Sequence, residues 1–315
     1  MQRQLKIGVL LPHTKLYGGV KRFLELGNCF AEAGHQPFVF TPHADAPEWF
    51  NYQGEVRSFE QINETKPDVL FFTEPKYMPQ ISGSNASLKI FYFVRANENL
   101  NKIKKDNSIR FFANSTNLVN LAKRKYNVEA FPAIGGINLS QYYPKDTVTS
   151  AERPFTVLAY GRVSEKRKGT SYVVKACEQL HKKGHHIKLL LFETPQNEKM
   201  EKAIREFNTS VPHQVVLNHP VDRNIEIFHQ ADVFAGPEKK AGWANTVAEA
   251  MASGIPVIAS ESGTKDFLFH EQTGLVVTRN SRNVKNAILR IMNDEQLRLK
   301  LSKNGRKKVE EFDWQ

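Results

Sequence analysis

The chain has 315 residues, 40% of them hydrophobic and 24% charged, which is typical of a folded globular protein of about two domains. Its two cysteines, Cys29 and Cys177, are too few for a disulfide framework or a zinc site, and no apolar run approaches the length of a membrane-spanning helix. The net charge of +11 suits nucleic acid, an anionic membrane or a polyanionic substrate, but no zinc-finger, RRM or KH signature supports nucleic acid.

Short apolar runs alternate with longer amphipathic stretches, and this alternation predicts parallel β-sheets flanked by helices. We predict strands at residues 6–11, 37–41, 69–72, 90–94, 111–114, 155–160, 187–192, 215–217, 233–235, 256–259 and 274–277. We predict helices at residues 20–33, 118–126, 171–182, 200–208 and 283–292. The polar stretch 143–154 lacks periodicity and is predicted to link two doubly wound α/β domains, 1–147 and 148–315.

Ligands of doubly wound sheets bind at the carboxyl ends of the strands, so the loop after the first strand of each domain is informative. In the first domain this loop carries Gly18 and Gly19 at a helix entrance, and His13 beside them is the histidine that we single out for testing. In the second domain Arg162 and Lys168 precede a helix, an arrangement suited to gripping a diphosphate. Neither loop has the G-x-G-x-x-G or Walker pattern, which argues against a dinucleotide or P-loop site.

The most informative segment runs from a predicted strand near residue 235 through a helix to the next strand. Asn245 or Thr246 is predicted to cap this helix, whose first amides, up to Val247, offer an anion the positive end of the helix dipole. Glu249 lies one turn further on the same face, where a carboxylate can accept hydrogen bonds from a sugar diol. Taken alone, the segment also fits a core crossover with a solvated glutamate.

Together these motifs resemble, in order and spacing, the retaining GT-B glycosyltransferases of family 4, which use nucleotide sugars. The resemblance covers nearly the whole chain and implies two Rossmann-like domains facing a central cleft. The second domain would bind the nucleotide diphosphate sugar, with a UDP-sugar favoured, and the first would bind most of the acceptor. The implied activity is a hexosyl transfer to a glycan or lipid-linked acceptor in cell-surface polysaccharide or glycolipid synthesis.

Individual roles also follow from the resemblance. Arg162 and Lys168 match the family's diphosphate-binding cations and would stabilise the charge on the leaving nucleotide. Glu249 matches the second glutamate of a paired-glutamate motif and would hold the ribose hydroxyls. The other binding residues implied are Asn245, Thr246 and Val247 at the distal phosphates, and Gly18 and Gly19 where donor phosphate and acceptor approach the first domain.

The chain departs from the family pattern in three places. The family's first glutamate is replaced by Ala241, and Glu238 is our candidate catalytic residue for its place. The histidine often found at the end of a first-domain strand is replaced by Arg95. The chain ends at 312–315, where family members usually add a helix that crosses back to the first domain, so we expect a shortened chain or a different domain closure.

These departures leave two alternatives open. One is a catalytically silent GT-B subunit that binds nucleotide sugar or a partner transferase. The other is another type of GT-B enzyme, a nucleotide-sugar epimerase or a phosphorylase, although no local motif indicates the pyridoxal lysine that a phosphorylase needs.

Metal, membrane and compartment can also be predicted. The sequence has no D-x-D pair and no H-E-x-x-H, so we expect no metal and no cofactor beyond the nucleotide-sugar substrate, with cations and a helix dipole replacing the metal ion. Basic clusters at 102–105 and 123–125 lie in the acceptor domain and predict peripheral contact with the inner face of an anionic membrane. The apolar run 7–12 is too short for a signal peptide, so we expect a cytoplasmic protein. Since no zinc-finger, RRM or KH signature is present, we expect no nucleic-acid partner.

Overall fold

A computed structural model describes residues 3–145 and 153–314 of the chain. The chain divides into two compact units, which we call the first unit (Met1–Gly136 with Trp314–Gln315) and the second unit (Ile137–Asp313). The middle of the predicted linker, residues 146–152, lies outside the described residues.

The first unit contains a parallel sheet with helices between its strands. Its strands are β1 (Lys6–Leu10), β2 (Gln36–Thr41), β3 (Glu55–Ser58), β4 (Val69–Phe72), β5 (Leu88–Phe93), β6 (Ile109–Ala113) and β7 (Phe131–Pro132). Its helices are α1 (Gly18–Glu32), α2 (Ile62–Thr65), α3 (Met78–Ser82) and α4 (Thr116–Leu121), the last continued by a π-helical turn (Ala122–Tyr126). The described strands run in the order β3-β2-β1-β4-β5-β6-β7. Because β1 and β4 are neighbours, the connections change direction between them, and their carboxyl ends border a crevice.

The second unit repeats this plan. Its strands are β8 (Phe155–Tyr160), β9 (Ile187–Glu193), β10 (His213–Leu217), β11 (Val233–Gly236), β12 (Val257–Ala259) and β13 (Leu275–Val276). Its helices are α5 (Thr170–His181), α6 (Glu198–Arg205), α7 (Ile225–Phe228), α8 (Asn245–Ala252), α9 (Ser281–Asn293) and α10 (Glu295–Val309). The described strands are parallel, in the order β10-β9-β8-β11-β12-β13, so the switch in direction falls between β8 and β11.

Both cores form because the central strands bury apolar runs and the amphipathic helices bury apolar stripes. In α1 the buried stripe includes Val20, Phe23 and Leu24, which pack in one cluster with Val9 and Val39 of the sheet. The predicted fold class, two doubly wound Rossmann-like α/β domains, is therefore confirmed. Among the described residues, the helices all lack the length and apolar character needed to cross a membrane.

Several of the elements that the sequence analysis missed have weak apolar patterns. Strand β3 has no fully buried residue, and β7 has only two residues, both exposed, so neither forms an apolar run. Helix α10 carries many basic side chains and buries only Leu301, Gly305 and Val309. Tertiary packing, rather than local hydrophobicity, stabilises these elements.

The units divide at residue 136, before the predicted boundary at 147. Residues after Gly136 pack in the second unit, where the ring of Tyr142 is fully buried. This ring lies edge-on to that of Phe228, with 5.8 Å between the ring centres. Arg306 donates from Nη1 to the Tyr142 carbonyl oxygen at 2.7 Å. Trp314 belongs to the first unit, and its indole nitrogen donates to Glu25 at 3.2 Å. The sequence could not place this boundary, because the burial of a single tyrosine leaves no periodic pattern.

Candidate functional site

The candidate site lies in the second unit, at the carboxyl ends of β8 and β11. These strands are neighbours at the switch point of the sheet, which is where doubly wound folds bind their ligands. The loop 161–169 leaves β8 and enters α5, while the loop 237–244 leaves β11 and enters α8. The predicted diphosphate-binding residues Arg162 and Lys168 thus lie in one loop, and the adjacent loop leads into the start of α8.

The backbones of these two loops lie in direct contact. Gly169 has a left-handed φ of 77°, and a Cβ at this position would overlap the carbonyl oxygen of Pro237. A side chain is therefore excluded both by the backbone conformation and by the neighbouring loop. The amide of Lys239 donates to the Arg167 carbonyl oxygen at 2.9 Å, which adds a second link between the loops.

Arg279 provides a third link, which the sequence analysis missed. Its Nε donates to the Pro237 carbonyl oxygen at 2.8 Å and its Nη2 to the Lys166 carbonyl oxygen at 2.7 Å. The guanidinium also lies 5.4 Å from the centre of the Tyr172 ring. Its position just after the last predicted strand was the available signal, but many solvated arginines share that position.

Arg162 is 4% exposed and already surrounded by acceptors. Its Nε and Nη2 donate to the two carboxylate oxygens of Glu193 at 2.7 and 3.0 Å. Its Nη1 donates to Glu165 at 3.0 Å, and its Nη2 also donates to the Tyr160 hydroxyl at 2.6 Å. Burial alone would lower the pKa of Arg162, but the hydrogen bonds and charge of Glu193 raise it above its ordinary value. Arg162 therefore keeps its charge but shares it with two glutamates.

Lys168 and Glu238 form an ion pair across the two loops, with Nζ 2.8 Å from Oε1. Their side chains are 20% and 12% exposed, so the pair is partly screened from water. The hydroxyl of Ser260 donates to the Glu238 carbonyl oxygen and holds the second loop. The structure thus brings together two residues that the sequence analysis selected separately.

Helix α8 begins at Asn245, with Ala244 as the N-cap and no side-chain cap hydrogen bond. The prediction that Asn245 or Thr246 caps this helix is therefore wrong. The amide of Ala244 donates to the Gly263 carbonyl oxygen at 2.9 Å, which turns the chain into the helix. The amide of Val247 donates to the Ala244 carbonyl oxygen at 3.1 Å and is already used within the helix. No acidic side chain occupies the first turn, so the positive end of the helix dipole is not offset there.

Glu249 lies one turn into α8 and is 5% exposed. Ala241 stands where the family pattern has its first glutamate, and its amide donates to the Ser262 hydroxyl at 2.9 Å. The Trp243 indole nitrogen between them in sequence is buried without a hydrogen-bond partner. Because position 241 offers only a methyl group, the acidic side chain of this loop is that of Glu238.

In the first unit, Gly18 and Gly19 open α1, with Tyr17 as the N-cap. The first turn carries neither a side-chain cap hydrogen bond nor an acidic residue. A Cβ at Gly19 would meet nothing within 4 Å. Packing against the described chain therefore does not require a glycine at position 19, and the space beside the helix start is open.

Arg95, at the carboxyl edge of the first-unit sheet, belongs to a cluster of charges. Its Nη2 lies 3.0 Å from Glu74 and 3.0 Å from Glu98, and Lys76 lies 2.7 Å from Glu74. Burial raises the pKa of Glu98. Nearby, burial lowers the pKa of His13, whose Nδ1 has no hydrogen-bond partner. Arg95 is thus paired with two glutamates that the sequence analysis missed, although both follow predicted strands.

Solved structures establish which fold this is. Sucrose-phosphate synthase from Thermosynechococcus elongatus superposes with a TM-score of 0.78 and 21% identity, over 99% of this chain and 96% of that chain. Anabaena HepE in complex with UDP-glucose gives a TM-score of 0.77 and 14% identity, over 99% of this chain and 96% of that chain. The fold is that of the GT-B glycosyltransferases.

The sequence carries the assignment one step further. Residues 145–308 match the family of glycosyl transferases group 1, and the chain belongs to this family. It is 30% identical over 159 residues to the capsular polysaccharide biosynthesis glycosyltransferase CapM from Staphylococcus aureus. The aligned region covers 50% of this chain and 41% of CapM. A second relative is N,N'-diacetylbacillosaminyl-diphospho-undecaprenol alpha-1,3-N-acetylgalactosaminyltransferase from Campylobacter jejuni. It is 30% identical over 91 residues, and the aligned region covers 28% of this chain and 24% of that protein. The matches thus span less than half of the length of these curated relatives.

Proposed function

We propose that the chain transfers a sugar from a nucleotide diphosphate sugar, with a UDP-sugar favoured, to a glycan or lipid-linked acceptor. We propose further that the transfer retains the anomeric configuration and needs no metal ion. The observation that carries the proposal is the presence of Arg162, Lys168 and the start of α8 at the switch point of the second-unit sheet. The solved complex of HepE with UDP-glucose and the CapM name support the choice of donor and of polysaccharide synthesis.

The proposed mechanism assigns the leaving diphosphate to this switch point. Negative charge grows on the nucleotide as its bond to the sugar breaks, and Lys168, Arg162 and the dipole of α8 would stabilise that charge. These groups would replace a metal ion at the diphosphate. The buried carboxylate of Glu249 would accept hydrogen bonds from the ribose hydroxyls.

Binding and transfer test the proposal in sequence. Calorimetry with UDP, GDP and ADP should show saturable binding, tightest for UDP. Labelled UDP-sugars should then give a labelled glycan or lipid, and analysis of its linkage should show a retained anomer. Failure of all three nucleotides to bind would refute the proposed site, and an inverted anomer would refute retention.

A catalytically silent subunit remains the second candidate, and two observations favour it. Ala241 offers no carboxylate, and Arg95 is paired with Glu74 and Glu98 rather than presenting a histidine. This candidate predicts nucleotide-sugar binding without transfer, hydrolysis or epimerisation. Nuclear magnetic resonance of the nucleotide sugar after incubation distinguishes these outcomes, because an epimer, a free sugar and the unchanged donor give separate anomeric signals.

We also propose peripheral contact with the anionic inner face of the cytoplasmic membrane. The two basic clusters at 102–105 and 123–125 are neighbours in the first unit, where Lys104 Nζ donates to the Tyr126 carbonyl oxygen at 3.4 Å. Their basic side chains are exposed, although Lys123 pairs with Glu129 at 2.9 Å. The undecaprenol-linked substrate in the name of the Campylobacter relative supports a lipid-linked acceptor.

A further inference from the structure

Three cations of the loop 161–169, namely Arg162, Arg167 and Lys168, are already paired with carboxylates. Arg162 pairs with Glu193 and Glu165, and Arg167 also pairs with Glu165, at 3.2 Å. Lys168 pairs with Glu238. These three cations therefore face three carboxylates. A diphosphate that binds to Arg162 or Lys168 must compete with at least one of these carboxylates.

Glu193 and Glu238 differ in how easily a phosphate can displace them from their cations. The Glu193 side chain is 1% exposed and makes two hydrogen bonds to the guanidinium of Arg162. Breaking such a buried pair leaves an uncompensated charge in a dry environment, which is strongly unfavourable. The Glu238 side chain is 12% exposed and forms an ion pair with Lys168 at 2.8 Å. Glu238 is therefore the carboxylate that a phosphate can displace from Lys168.

The backbone keeps Glu238 beside Lys168 even after such a displacement. Gly169 lies against the Pro237 carbonyl, and Arg279 holds both loops by their carbonyl oxygens. Glu238 immediately follows Pro237, so it cannot move far from the diphosphate once it has left Lys168. Its carboxylate then needs new hydrogen-bond donors, and the hydroxyl groups of a sugar attached to the diphosphate are donors of the right kind.

We propose that Glu238 is a specificity-determining residue that distinguishes a nucleotide sugar from the free nucleoside diphosphate. It pairs with Lys168 in the absence of donor, leaves Lys168 when the diphosphate binds, and accepts hydrogen bonds from the sugar. When the sugar has been transferred, Glu238 loses these donors and competes with the nucleoside diphosphate for Lys168, which favours release of the product. This inference rests on the proposed function, because it requires a nucleotide sugar at the switch point.

The test compares the affinities of UDP and UDP-glucose in the wild type and in Glu238→Gln, measured by calorimetry and repeated with UDP-N-acetylglucosamine. Removing the competing charge should tighten UDP binding by about tenfold, the scale of one hydrogen bond to a charged group. The same change removes a charged acceptor from the sugar. The ratio of the affinity for the nucleotide sugar to the affinity for UDP should therefore fall by about tenfold or more, measured with whichever of the two nucleotide sugars binds more tightly. Weaker UDP binding, or an unchanged preference, would overturn the proposal.

Two further variants exclude a general effect of charge or folding. Glu165→Gln removes a carboxylate from the same loop without touching Lys168, so it should change UDP and UDP-glucose affinities by the same factor. In a Lys168→Gln background, Glu238→Gln should no longer tighten UDP binding, because the competed cation is absent. Tightening that persists there would show that Glu238 acts by long-range repulsion, which contradicts the exchange.

The result also separates this inference from the proposed function. If the wild type binds none of UDP, GDP and ADP, both fall together. If the wild type binds UDP and transfers a sugar while Glu238→Gln keeps the wild-type preference, only the role of Glu238 falls.

Discussion

Arg279→Ala should loosen the two loops at the switch point, and the structure sets the size of the effect. The substitution removes hydrogen bonds from a charged donor to the carbonyl oxygens of Pro237 and Lys166. Pro237 is buried, so its carbonyl oxygen would lose its partner, at a cost of about 1–3 kcal/mol. Lys166 is exposed and water can replace the arginine there. We therefore expect a loss of about 2 kcal/mol in the free energy of unfolding.

Two measurements check this expectation. For a unit of this size, a loss of about 2 kcal/mol corresponds to a fall in Tm of about 4–8 °C, which calorimetry resolves easily. The affinity for UDP should also fall, by about three- to tenfold, because Lys168 is no longer held in position. The Tm and the UDP affinity of Arg279→Lys should lie between those of the wild type and of the alanine variant, since one ammonium group cannot span both carbonyl oxygens as the guanidinium does.

Arg282→Ala is the matched control. Arg282 is exposed on α9, three residues after Arg279, so its removal changes the net charge equally without breaking the contact between the loops. If Arg279→Ala and Arg282→Ala melt at the same temperature and bind UDP equally, Arg279 does not position the loops and the reasoning fails.

Four other predictions follow from the site and the surface. Lys168→Ala and Arg162→Ala should each weaken nucleoside diphosphate binding by about 1.5–3 kcal/mol, and unchanged calorimetric affinity in both would contradict the assignment. Glu249→Gln should lower donor affinity by about ten- to a hundredfold while the melting temperature stays unchanged. Normal donor affinity would mean that the role of Glu249 in helix α8 has been misinterpreted. Activity should survive excess EDTA, and rescue of a chelator-abolished activity by manganese would exclude metal independence. Sedimentation with liposomes should show binding to anionic vesicles that weakens with salt, on a scale of about 1 kcal/mol per basic residue at 102–105 and 123–125; equal, salt-independent binding to neutral vesicles would remove the electrostatic explanation.

The architecture could be predicted because it rests on local patterns. An apolar run of strand length followed by an amphipathic stretch predicts a parallel sheet, and both sheets are parallel as expected. The positions of Arg162 and Lys168 could be predicted for the same reason, since the loop after the first strand of a doubly wound domain lies at its ligand-binding edge. The start of α8 could not be predicted in the same way, because its N-cap residue is Ala244, which has no side chain that signals a cap.

The sequence by itself thus determined the fold class, the loops that follow the predicted strands and the membership of the family of glycosyl transferases group 1. The tertiary structure alone decided which charges meet there. Arg162 pairs with Glu193 across 31 residues, Lys168 with Glu238 across 70, and Arg279 with the Lys166 carbonyl across 113. A hydrogen bond requires atoms within about 3 Å, and no local spacing specifies such contacts between distant segments. The first two arise because β8, β9 and β11 are neighbours in one sheet, which brings the loops at their carboxyl ends together, and Arg279 follows β13 of the same sheet.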